Sequence, residues 1–193
     1  MGNKINRKRK RKYERSWKLG QQAARDCDSS FARKIEKIQK EKIMVSADFI
    51  TASLSECSKN FLGCFAEDQL KNLSLTSFPC FLIVNIDSSN MGGSHWIGLG
   101  IFKDTLEIFD PLGFNILNWP RIPTGLLDFL HNFSRSRKVK ILPRIQSDSS
   151  MLCGIFSIYY VIRRKTATFD TCLSCFNFEN FVVNDGVVCN FFK

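Results

Sequence analysis

Imidazole is scarce in this sequence: 193 residues hold two histidines, His95 and His131. Acid–base chemistry near neutral pH that needs an imidazole therefore has almost no choice of residue. Proline and glycine are sparse at 5 and 11, while 44% of residues are apolar, which excludes collagen-like and wholly disordered chains. No uninterrupted apolar run approaches the roughly 20 residues of a membrane span. The N-terminus opens on a basic run where a secretory signal would be apolar. A soluble, non-secreted protein with no membrane association is the expectation. Eight cysteines in such a setting read as free, mostly buried thiols. Only Cys172 and Cys175 have C-x-x-C spacing, and no second C-x-x-C or H-x-x-H completes a zinc site, so no metal is expected.

The net charge of +10 is concentrated. Residues 1–42 carry 15 Lys and Arg against 5 Asp and Glu, and the remainder carries 13 of each. The run Arg7-Lys8-Arg9-Lys10-Arg11-Lys12 is self-repelling and reads as a nuclear-localisation or nucleic-acid-binding patch making phosphate contacts. Phe31, Ile35 and Ile38 recur at helical spacing, so a short helix is expected within 22–42. Two regions follow: a basic, largely disordered arm over 1–44 and a neutral globular domain over 45–193.

The domain reads as α+β. A weak helical pattern spans 48–54, and 78–87 is an apolar run of buried-strand type. After the turn-rich segment 88–93, residues 95–102 and 106–110 read as two strands of a hairpin. Residues 124–134 look helical, 138–142 strand-like, and 154–164 forms a strongly apolar helix. That helix ends in Arg163-Arg164-Lys165, which suits the negative end of its dipole.

His131 falls on the 124–134 helix and reads as a surface or packing residue. His95 opens a strand after Gly92-Gly93, where a side chain can stand at a cleft edge. Asp110 ends the partner strand, and the odd separation puts both on one face of an antiparallel hairpin, opposite or one pair out. A carboxylate there can accept the imidazole N–H and fix its tautomer, although Asp110-Pro111 is also ordinary turn chemistry. Cys153 begins the apolar helix, where the dipole favours a thiolate. Gly154 would let a substrate backbone approach. The amide of Gln146 can join the backbone N–H of Cys153 in an oxyanion hole.

With these residues in place, the stretch from Cys57 to about Val161 resembles the adenovirus-type cysteine proteases, the adenain family, and their relatives in Maverick/Polinton elements. The resemblance rests on Phe61-Leu62-Gly63 and Gly92-Gly93-Ser94-His95-Trp96. It continues in Ile108-Phe109-Asp110-Pro111-Leu112-Gly113-Phe114 and in Gln146 followed by Cys153-Gly154-Ile155-Phe156. The order His, acid, Gln, Cys is also that of the wider clan of ubiquitin-like-protein proteases.

The resemblance implies a papain-like core with a central mixed sheet flanked by helices and the nucleophile at a helix N-terminus. It implies a cysteine endopeptidase cutting after Gly-Gly or Gly-x-Gly in viral or transposon structural precursors. His95 would be the base, Asp110 its orienting acid, Cys153 the nucleophile and Gln146 the oxyanion donor. Gly93, Trp96 and Gly154 would line the substrate cleft, although Trp96 also fits a plain core position. No cofactor would be required, DNA is a possible activator through the arm, and a monomer in the host nucleus or virion is expected.

Three departures stand out. Asp110 replaces the family's Glu with a slightly shorter spacing, residues 135–145 lack the cysteine that would link an activating peptide, and the chain is short after Cys153. A deubiquitinating or deSUMOylating protease of the same clan, and a non-catalytic DNA-binding relic, are the alternatives.

Overall fold

A computed structural model describes residues 2–27, 30–55, 58–114, 116–118 and 120–193, leaving out the side chains of 2–9, 12, 27 and 118. Three helices come first: α1 (Gly2–Cys27), α2 (Phe31–Glu41) and α3 (Ala47–Leu54). Strand β1 (Phe61–Ala66) runs into a 3-10 turn over Glu67–Asn72, and β2 (Cys80–Asn85), β3 (Trp96–Ile101) and β4 (Thr105–Phe109) follow. Helix α4 (Thr124–Ser134), strand β5 (Lys138–Ile141) and helices α5 (Cys153–Arg164), α6 (Phe169–Leu173) and α7 (Val182–Phe191) complete the order.

The architecture is α+β: a five-stranded mixed sheet in the order β1-β2-β3-β4-β5, with helices on both faces. The outer pairs β1/β2 and β4/β5 are parallel, and the inner pairs are antiparallel. Every residue of β2 and β3 is buried, which is why neither strand alternates polar with apolar. One face packs against α4 through Leu126, Phe129 and Leu130. The other packs against α5, whose residues from Cys153 to Arg163 are all buried. A helix apolar on every side belongs in a core, and this one is wrapped by the sheet and by helices α1, α3, α6 and α7.

Two glycines in β3 fix where α5 lies. A Cβ on Gly98 would stand 2.8 Å from the Tyr160 ring, and one on Gly100 would collide with the Tyr160 hydroxyl. With both absent, Tyr160 lies flat against Phe109, ring centroids 4.7 Å apart. Its hydroxyl donates to Glu107 Oε2 at 2.9 Å. The Arg164 guanidinium grips the same carboxylate with two bonds, Nε–Oε2 at 2.7 Å and Nη2–Oε1 at 3.1 Å. The C-terminal end of α5 is thereby anchored on β4, and its N-terminal end comes to rest at the ends of β3 and β4.

The expectation of a largely disordered arm over 1–44 needs correction. Residues 2–27 and 31–41 are helical, and both helices carry core residues. Trp17 meets Phe191 edge-on at 5.2 Å, Ala24 is buried, and Gly20 allows close approach, since a Cβ there would be 2.8 Å from both Arg163 and Phe191. Tyr13, Trp17, Gly20 and Ala24 recur at intervals of four, three and four, one stripe of a helix. The density of charge in 1–42 hid that stripe. The expected helix within 22–42 is α2, with Phe31 and Ile35 buried.

Candidate active site

His95 stands immediately before β3 and Asp110 immediately after β4. The β3/β4 register pairs Gly98 with Phe109, so continuing it beyond the strand ends sets Asp110 one pair out from His95. Both side chains are buried, Asp110 completely. His95 Nε2 lies 2.7 Å from Asp110 Oδ1. The carboxylate is held by its own turn: Oδ1 accepts the Leu112 N–H at 3.0 Å and Oδ2 the Phe114 N–H at 3.1 Å. The same carboxylate thus serves its own turn and meets the imidazole. Phe114 closes over the ring edge-on, centroids 5.9 Å apart.

With Nε2 given to Asp110, Nδ1 is the nitrogen left for Cys153, whose side chain hydrogen-bonds to His95. Burial pulls the imidazole pKa down. The hydrogen bonds and negative charge of Asp110 and Cys153 outweigh that and raise it from 6.5 to about 9. Cys153 is the first residue of α5, so its own N–H has no acceptor within the helix. Among the described cysteines it is the one beside an imidazole. Burial pushes the thiols of Cys64, Cys80 and Cys189 up to about 11 and that of Cys172 to about 12. The Tyr159 hydroxyl lies 3.1 Å from Cys175 Sγ and donates to the Cys172 carbonyl at 2.8 Å, and no group of three metal-ligating side chains occurs among the described residues.

Gln146 is also buried nearby. Its Nε2 donates to Ser150 O at 2.7 Å, and its own N–H donates to Pro111 O at 2.8 Å. The first bond spans the loop leading into Cys153, and the second ties that loop to the Asp110 turn. One Nε2 hydrogen remains uncommitted, whereas Oε1 is buried without a partner among the described residues. The loop is held from outside by α7: Asn184 Nδ2 donates to Ile145 O at 2.8 Å, and Ser150 Oγ to Asp185 Oδ1 at 2.9 Å. Sequence reasoning missed Asn184 and Asp185, because nothing local ties residues so far along the chain to this loop.

A cleft of about 400 Å³ opens beside Trp96, the residue after His95, with Gly93 also on its wall together with Val45, Phe65, Asp87 and Met91. Gly93 adopts φ +78°, and a Cβ there would meet Asn85. Trp96 is a core residue as well as a wall residue, since its Nε1 donates to Val45 O at 2.9 Å. Gly154 needs correcting: it is buried and faces away from solvent, with a hypothetical Cβ running into Val45 and lying 3.2 Å from Trp96. Glycine is required there so that α5 can seat against Trp96. His131 is exposed on α4, away from the site. Lys10 and Arg11 are exposed on α1, while the side chains of Arg7, Lys8, Arg9 and Lys12 lie outside those described.

No described helix is long and apolar enough to cross a membrane. The sequence matches no protein-family model and no curated protein.

Proposed function

We propose that the chain is a cysteine endopeptidase with a papain-like core of the kind found in adenovirus-type and ubiquitin-like-protein proteases. The observation that carries the reading is the buried His95, its Nε2 on Asp110 and its side chain bonded to a thiol that begins a helix. A carboxylate, an imidazole and a thiol in that order make a nucleophile and its base.

In the reaction, the Cys153 proton passes to His95 Nδ1 and the sulfur attacks the peptide carbonyl carbon. The negative charge that develops on the carbonyl oxygen is met by the N–H of Cys153 and by the uncommitted N–H of Gln146. Collapse of the tetrahedral species breaks the C–N bond as His95 gives its proton to the leaving amine. Water, deprotonated by the same imidazole, then cleaves the thioester and returns the thiol. Asp110 keeps the ring oriented through both halves and stabilises its charged form.

The substrates proposed are structural precursors of viral or transposon origin, cut after Gly-Gly or Gly-x-Gly. The basic run 7–12 is proposed to contact nucleic acid in the nucleus or particle, and the enzyme to work as a monomer without a metal or covalent cofactor. A Gly-Gly fluorogenic peptide, with and without DNA, tests the reading. Cleavage lost in Cys153→Ala and in His95→Ala is expected. Turnover surviving either change would sink the mechanism. Cleavage confined to ubiquitin-like conjugates would move the assignment to that branch of the clan. DNA binding with no hydrolysis of any such substrate would leave a non-catalytic relic.

A further inference from the structure

The cleft walled by Gly93 and Trp96, which bracket His95 in the sequence, carries an unbalanced negative charge. Residues 43–193 balance 13 Lys and Arg against 13 Asp and Glu, yet the residues lining this cleft include an aspartate and neither lysine nor arginine. That aspartate, Asp87, is the second residue beyond β2, and the neighbouring Ile86 N–H donates to His95 O at 3.1 Å. Its backbone is fixed by the Asp87 N–H donating to Asn85 Oδ1 at 2.9 Å and the Glu67 N–H donating to Asp87 O. Its half-exposed carboxylate has no partner among the described residues.

Two neighbouring acids, Glu67 and Asp68, are occupied. Glu67 accepts from Ser88 Oγ at 2.6 Å and from the Gly125 N–H at 3.1 Å. Asp68 takes the Ser89 N–H and hydroxyl at 2.8 and 2.7 Å, with Lys71 adding positive charge beside it. They hold the loop that carries Ser88 and Ser89, so Asp87 faces the cleft from a braced position. Met91, Phe65 and Met44 supply apolar wall around it.

We propose that this cleft receives a lysine or arginine side chain of the peptide substrate, with the alkyl stem on Met91 and Phe65 and the cation on Asp87. Long cationic side chains are built for such a site: the stem covers apolar surface and the head reaches a carboxylate. The inference rests on the peptidase reading and adds a specificity to it.

Two measurements on the full chain keep the failures apart. First, Gly-Gly peptides with Lys, Arg, Gln, Leu or Glu placed in turn at each of the four positions on either side of the scissile bond are compared by kcat/KM. A basic side chain at one position should exceed Gln by about tenfold. That ratio should fall towards one in Asp87→Asn, reverse in favour of Glu in Asp87→Lys, and shrink with added salt. Second, the same peptides are titrated by fluorescence anisotropy into Cys153→Ala and into Cys153→Ala/Asp87→Asn, where turnover plays no part. A preference for the basic peptide lost with Asp87 supports the site even if the wild-type chain hydrolyses nothing, in which case the peptidase reading falls alone. Cleavage or binding with no basic preference, or with one that persists in Asp87→Asn, overturns the inference and leaves the peptidase reading standing.

Discussion

His95 is under opposing influences. Burial favours the neutral ring, while Asp110 and Cys153 favour the charged one and win, carrying the pKa from 6.5 to about 9. A histidine whose folded pKa lies above its unfolded value stabilises the fold fully below the unfolded pKa and loses that contribution as pH rises through the folded one. The difference in stability between wild type and Asp110→Asn should therefore be largest below about pH 6.5 and shrink as pH passes about 9, measured by denaturant melts across that range. In kinetics, the alkaline limb of kcat/KM should fall near 9 in the wild type and move down in Asp110→Asn. General acid–base losses of about 10²–10⁴-fold in rate accompany the change. An NMR titration of the imidazole that gave an ordinary value in the wild type would contradict both expectations. The meeting of His95 with Asp110 was legible in the sequence because histidine was scarce and hairpin parity restrictive. The role of Gly154 was not, since what crowds it are Val45 and Trp96, far off in the chain.

At the level of elements, α5 is set by its two ends, and each end makes a prediction. Glu107→Gln removes the charge that pairs with Arg164 in a nearly dry setting and should cost about 3–5 kcal/mol, read as a lowered Tm, with no change in which bond is cut. Gly154→Ala places a methyl against Val45 and Trp96 and should cost about 1–3 kcal/mol. Because the strain falls beside Cys153, activity at a temperature where the variant is still folded should drop as well. Unchanged activity and Tm would show that the N-terminal turn of α5 is free to shift. Segments with their own periodicity were legible here: 124–134 is α4, 138–142 is β5 within a residue, and 154–164 is α5 less its first residue. Strand β1 was not read, because only one of its residues is exposed and the rest are half-buried, which leaves no clean alternation. Helices α6 and α7 also escaped: α6 is five residues long, and the buried face of α7 mixes Asn184 with Val188, Cys189 and Phe191 and carries little helical signature.

For the whole molecule, helix α1 joins a basic run to a stripe that packs into the core. Trp17→Ala should lower stability by about 2–3 kcal/mol, since the ring packs on Phe191 and lies under the buried Arg163 guanidinium. Replacing Arg7 through Lys12 by Gln should leave Tm unchanged and weaken binding to polynucleotide. The slope of log affinity against log salt should drop by roughly 0.7–0.9 for each phosphate no longer neutralised. Equal Tm losses in both variants would deny that contrast. Charge arithmetic made the basic run legible and drew the boundary at 44 too sharply, because the apolar stripe on α1 continues into the core.

That helix also sets an order of events during synthesis. Trp17 finds Phe191, and Asn184 and Asp185 clasp the loop carrying Gln146, so segments made early wait for those made late. Contacts of such long sequence separation close slowly and only once both partners have left the ribosome. The loop beside Cys153 is thus without its brace until residues near 185 have emerged. On the peptidase reading, a nascent chain should gain full activity only once Asn184 and Asp185 have packed against that loop.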